Sequence, residues 1–139
     1  AMKLGASAVI NPTESDPAEA VKEITGRPPE IVFECIGVKS TLGAAIGMVG
    51  RHGQVVVIGV CLESDSIFPL SCVMKEVQIN FALAYTRGEF QETIDALSQG
   101  TIDATPMITD VIDVAQVPEM FAALKRPGTR AKVMVEFPH

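Results

Sequence analysis

Residues 30–60 read EIVFECIGVKSTLGAAIGMVGRHGQVVVIGV, and the fold turns on how this stretch divides. Ile31 to Cys35 is a run of strand-forming residues and Ser40 is placed as a helix N-cap. Leu42, Ala45, Ile46 and Val49 follow the i, i+3, i+4, i+7 spacing of one helical face. Gly50 and Gly53 frame a turn, and Gln54 to Ile58 makes a second strand. Its four consecutive β-branched residues, Val55 to Ile58, predict burial on both faces, as in a parallel sheet covered by helices. Alternating strands and helices of this length predict a right-handed βαβαβ unit. Each strand ends at a glycine, Gly37 and Gly59. Glycine weakens a strand and marks a bend, an unusual backbone angle or a close approach to the backbone. Ligands of open parallel sheets lie just outside the carboxyl ends of the strands. Either glycine alone reads as an ordinary turn residue. The pair, at equivalent strand ends, favours a nucleotide or similar flat ligand.

The flanks extend this rhythm. Ala1 to Leu4 looks like the last turn of a helix with Gly5 as its C-cap, and Ala8 to Ile10 predicts a short strand stopped by Asn11-Pro12. Asp16 and Pro17 open a helix with Ala18, Val21 and Ile24 as its apolar stripe, closed by Gly26. Beyond Val60, the segment Leu70 to Met74 predicts a helical turn, and Val77 to Ala84 a strand. Arg87 to Ser98 predicts a helix burying Phe90, Ile94 and Leu97, terminated by Gly100. A second helix over residues 115–125 turns Val117, Met120, Phe121 and Leu124 inward, and Ala131 to Phe137 closes the chain as a strand.

At 139 residues the chain has the size of a single domain, residues 1–139, with enough length for a substantial core. Hydrophobic content of 47% against 20% charged describes a globular chain. Apolar runs such as Val55 to Cys61 are too short to cross a bilayer. No basic leader opens the sequence, so a cytoplasmic location is the default. With 17 acidic and 11 basic residues, net charge −6, no broad basic face is available for nucleic acid. Cys35, Cys61 and Cys72 are too scattered for a CxxC motif and read as buried or half-buried free thiols. With only His52 and His139 besides, neither a metal site nor a histidine-based triad can be assembled.

Other residues carry two readings each. Glu34, inside an apolar strand, is either a ligand-binding or general-base group or a backbone hydrogen-bond acceptor; the structural role is preferred. Gly43 to Gly47 reads as close-packing small residues within a helix, and the phosphate fingerprint GxGxxG is absent. Asp103, Asp110 and Asp113 read as solvated loop and capping residues. The apolar strand INFALA within Val77 to Ala84 is either an internal strand or a sheet edge able to pair with another chain. Lys132 is either a solvated lysine or a cation reaching a phosphate.

Taken in order, KLGASAVIN, EIVFECIG, GRHGQVVVIGV, KEVQINFALAYTRGEFQETIDALSQGTID, PMITDVIDVAQVPEMFAALK and AKVMVEF resemble the second half of the medium-chain alcohol dehydrogenase superfamily. The likeness is greatest to its zinc-dependent polyol, threonine and butanediol dehydrogenases, and it runs along almost the whole chain. It implies a partial Rossmann-like, doubly wound α/β sheet with helices on both faces that lacks its first strands. It also implies a tail returning toward a catalytic domain placed upstream with the zinc ligands and GxGxxG. The cofactor implied is NAD or NADP, with zinc in the parent protein but no zinc ligand in this chain. Cys35, Ile36, Gly37 and Val38 match the turn past the cofactor's ribose and adenine side. Ile58, Gly59 and Val60 match the turn against the nicotinamide. Phe81, Ala82, Leu83 and Ala84 match the exit of the last Rossmann strand, where relatives contact the carboxamide and join subunits edge to edge. Lys132 matches a basic position near the pyrophosphate. The partners implied are a small alcohol or carbonyl substrate and a second copy bound through the edge near Val77 to Ala84. On this resemblance the fragment itself carries no catalytic residue and is inactive. The alternatives are a zinc-free quinone or enoyl reductase of the same superfamily, or a non-catalytic nucleotide-binding or oligomerisation module.

Overall fold

The computed structural model describes residues 1–126 and 128–137. The chain divides into two compact units, Ile10–Tyr85 and the remainder, Ala1–Val9 with the residues from Thr86 onward. The larger unit is built on three parallel strands, β1 (Ile31–Glu34), β2 (Gln54–Val57) and β3 (Gln78–Phe81), in the order β1-β2-β3. Helix α1 (Pro17–Thr25) precedes β1, α2 (Thr41–Met48) joins β1 to β2, and α3 (Pro69–Lys75) joins β2 to β3. The register aligns Val32 with Val55 and Ile79, and Glu34 with Val57 and Phe81. These residues share one face by strand alternation. Ala45, Ile46 and Val49 pack on that face against Val55 and Val57 to form the core, with Val32, Leu42, Cys72 and Ile79 around it. Three of the four residues of the predicted α2 stripe are thus buried, and Leu42 is half-buried. On the opposite face of β1, Ile31 and Phe33 are exposed.

Local chemistry accounts for the element ends. The Asp16 carboxylate accepts hydrogen bonds from Ala18 and Glu19 N–H, and Gly26 closes α1 in a left-handed conformation. Lys75 reaches back across its unit to the end of α2. Its Nζ donates to the carbonyls of Ile46, Gly47 and Val49 at 3.0, 2.7 and 2.9 Å. A cation there satisfies acceptors left over at a helix C-terminus and opposes the helix dipole.

The second unit contains a 3-10 turn Met2–Leu4, α4 (Arg87–Ser98), β4 (Ile108–Asp113), α5 (Val117–Leu124) and β5 (Lys132–Glu136). β4 and β5 pair in parallel. A reciprocal capping box between Thr86 and Glu89 starts α4, and one between Asp113 and Gln116 opens the 3-10 turn before α5. Ion pairing of Arg130 with Asp110 joins β4 to the entry of β5 at 3.3 Å.

Several sequence expectations change. Ala8 to Ile10 forms no strand, since a strand exists only through a ladder and none is available to it. Ser40 precedes α2 in a left-handed conformation and its side chain makes no cap. The predicted strand Val77 to Ala84 shortens to β3. Phe90, Ile94 and Leu97 lie on one side of α4 but remain 51%, 43% and 42% exposed; helical period selects a stripe without supplying a cover. Val117, Phe121 and Leu124 are likewise exposed, lining a shallow apolar hollow between α5, β4 and β5. Gly43 and Gly47 are not close-packed, because an added methyl at either meets nothing within 4 Å. Asp103 and Asp113 cap turns as expected, but Asp110 lies within and Asp113 at the end of β4, a strand the sequence pattern did not reveal. Cys35 and Cys61 are exposed free thiols and Cys72 is half-buried. His139 lies outside the described residues. No helix among the described residues is long and apolar enough to cross a membrane.

Candidate functional site

The carboxyl ends of β1, β2 and β3 open onto a cleft of about 380 Å³. Of the residues singled out from the sequence, Val38, Ile58, Gly59, Val60, Phe81, Ala82 and Leu83 line it. Parallel pairing explains the convergence, since three strands running the same way deliver their exit turns to the same sheet end. Cys35 and Ile36 instead line a neighbouring hollow of about 390 Å³ with Pro17, Phe33 and Met48. Ala84 lies past the cleft in a left-handed conformation, and Lys132 is on β5 in the other unit.

Gly37 and Gly59 meet each other. A methyl on Gly37, which has φ of 71°, would overlap the Val60 nitrogen and the Gly59 carbonyl carbon. A methyl on Gly59 would overlap the Gly37 nitrogen and stand 2.5 Å from Glu34 Oε2. The side chains are missing because two main chains touch there.

Glu34 holds this crossing. It is the one buried charged residue among the described residues and borders both hollows. Its Oε1 accepts hydrogen bonds from the N–H groups of Ile36 (2.8 Å) and Gly37 (2.9 Å). Its main-chain carbonyl accepts from Ile58 (2.8 Å) and Gly59 (2.9 Å). The Gly37 N–H lowers the Glu34 carboxyl below its ordinary value of 4.5, burial opposes this, and the Ile36 N–H lowers it further. The nearby Thr41 hydroxyl donates its proton to the Val38 carbonyl at 2.6 Å.

Thr41, Leu42, Val57, Cys61, Glu63 and Asp65 also line the cleft, and none of them was expected from the sequence to bind a ligand. Asp65 ties its loop to the start of α2, accepting from Ser40 N–H at 3.0 Å. The polar run Glu63-Ser64-Asp65-Ser66 after a strand end was the available signal. The cleft walls are mainly apolar, with three carboxylates and no lysine, arginine or histidine among the lining residues. That acceptor set suits an uncharged or cationic ring and hydroxyl donors better than a phosphate. Among the described residues, no three His, Cys, Asp or Glu side chains stand together to hold a metal ion.

Residues 1–99 match the family model described as zinc-binding dehydrogenase. The chain is 28% identical over 128 residues to 2-dehydro-3-deoxy-L-galactonate 5-dehydrogenase of Pseudoalteromonas atlantica, covering 91% of this chain and 38% of that protein. It is 30% identical over 140 residues to sorbitol dehydrogenase of Bacillus subtilis, covering 97% and 39%. Among solved structures, a Sinorhizobium meliloti protein described as a zinc-binding dehydrogenase and bound to NADP superposes with a TM-score of 0.82 at 25% identity, covering 96% of this chain and 40% of that one. The chain therefore spans about two fifths of the length of the relatives it matches.

Proposed function

The chain belongs to the zinc-binding dehydrogenase family, and from that premise we propose that it is the cofactor-binding portion of an alcohol or polyol dehydrogenase using NAD or NADP. The observation that carries this reading is the cleft at the carboxyl ends of β1, β2 and β3. Seven residues from the three exit turns share it. A bound nicotinamide would supply the acceptor for a carbon-bound hydride of an alcohol, the hydroxyl proton passing to solvent and a carbonyl compound leaving. Val38, Ile58 and Val60 supply apolar walls for the dinucleotide, and the mutual contact of Gly37 and Gly59 keeps the cleft floor free of side chains. The zinc implied by the family name finds no ligand set in the described residues. Phe81, Ala82 and Leu83 line the exit of β3, whose outer side carries no strand among the described residues. That edge is the proposed seat of a second copy.

The test uses both the protein at its full natural length and the isolated 139-residue chain. Calorimetric titration with NAD⁺ and NADP⁺ is expected to show binding of one of them to the full-length protein, with NAD(P)H formation from alcohols or polyols. The isolated chain is expected to form none. Failure of the full-length protein to bind either dinucleotide would remove the cofactor reading. Sustained alcohol-dependent NADH formation by the isolated chain would remove the claim of inactivity.

A further inference from the structure

A carboxylate inside a four-residue strand of an otherwise apolar pattern is costly to bury, and among the described residues no cation accompanies Glu34. The described residues lining the two hollows it borders include four other titratable groups, Cys35, Cys61, Glu63 and Asp65, and none is a cation. What Glu34 does have is four main-chain donors. Two belong to its own turn and reach Oε1, and two belong to the turn after β2 and reach its carbonyl. Its second carboxylate oxygen faces the space where a Gly59 side chain would be. One residue therefore grips both turns at the point where their backbones touch, and that point borders the cleft.

Resting on the cofactor reading above, we propose that Glu34 is the positioning residue of the cleft: its carboxylate fixes the turn after β1 and its main-chain carbonyl holds the turn after β2 against it, so that the two form a fixed floor for the dinucleotide. Successive N–H groups running into a left-handed glycine make a concavity that selects an anionic acceptor, and a carboxylate fills it with charge-assisted bonds. Glutamine at this position keeps the volume and one acceptor oxygen but gives up the charge.

The experiment compares the full-length protein with Glu34→Gln and Glu34→Asp. NAD⁺ or NADP⁺ affinity is read by calorimetry, fold by far-ultraviolet circular dichroism, and alcohol KM at saturating cofactor. Glu34→Gln is expected to weaken dinucleotide binding by about tenfold, the scale of one charge-assisted hydrogen bond, while alcohol KM stays unchanged. Glu34→Asp, with a shorter reach, fails to restore it. A folded Glu34→Gln protein that binds like the wild type overturns the role of Glu34 and leaves the cofactor reading intact. A wild type that binds neither dinucleotide overturns both. Should Glu34→Gln fail to fold, the wild type supplies a second readout. Dinucleotide affinity that falls as pH drops below the ordinary carboxylate range while the fold persists supports the clamp. A flat profile overturns it.

Discussion

A buried carboxylate held by backbone N–H groups makes stability depend on pH in one direction. The folded Glu34 carboxyl lies below its ordinary value of 4.5, so the folded chain holds its proton less tightly than the unfolded chain does. The resulting stabilisation is fully present above about 4.5 and is lost as pH falls through the lower folded value. Glu34→Gln is therefore expected to flatten the acid limb of a pH–Tm curve. Part of that limb remains, because Glu89 and Asp103 are lowered too, each by its bonds with Thr86 and Thr105. A variant with an acid limb as steep as the wild type's would refute the assignment. At Gly59 the expectation is steric. Gly59→Ala pushes a methyl into the Gly37 backbone and the Glu34 carboxylate and should cost about 1–3 kcal/mol, the range for overpacking. Gly47→Ala is the control, since its methyl meets nothing within 4 Å. Equal urea midpoints for Gly59→Ala and wild type would show that the turns can separate freely.

Elements here are short, and their ends matter as much as their faces. α2 has eight residues, and the carbonyls of its Ile46 and Gly47 and of its C-cap Val49 converge on one ammonium from α3. This connects the two helices that flank β2 in sequence. Lys75→Met keeps the aliphatic stem and removes the donors. It should destabilise the chain by about 1–2 kcal/mol, read from chemical denaturation; an unchanged midpoint would mean that water replaces the ammonium without loss. The pattern of α2 could be read directly from Leu42, Ala45, Ile46 and Val49 because period 3.6 fixes which residues share a face. The lysine cap could not, because its donor and acceptors are separated by 26 to 29 positions.

Across the whole chain, the three-stranded sheet ends in β1 on one side and β3 on the other. Phe81 is 74% exposed and Leu83 87%. Edges with apolar neighbours invite pairing with another chain. The isolated chain is expected to self-associate, with an apparent mass in sedimentation velocity that rises with concentration, and Phe81→Lys should reduce that rise. A monomer at every concentration would count against pairing through this edge.

The βαβαβ order, the caps at Asp16 and Gly26, the core stripe of α2 and the glycines in the turns after β1 and β2 were legible in the residues alone. These features are local or periodic, and neighbouring residues specify them through steric limits and hydrogen bonds within a turn or two. Tertiary structure alone decided that Gly37 and Gly59 face each other, that Glu34 grips both turns, and that Asp65 and Lys75 latch distant helix ends. It also decided that Phe90 and Phe121 stay exposed and that residues 108–113 become a strand. Each of these depends on what a residue meets across the fold, and a one-dimensional pattern of apolar and polar positions does not record that distance.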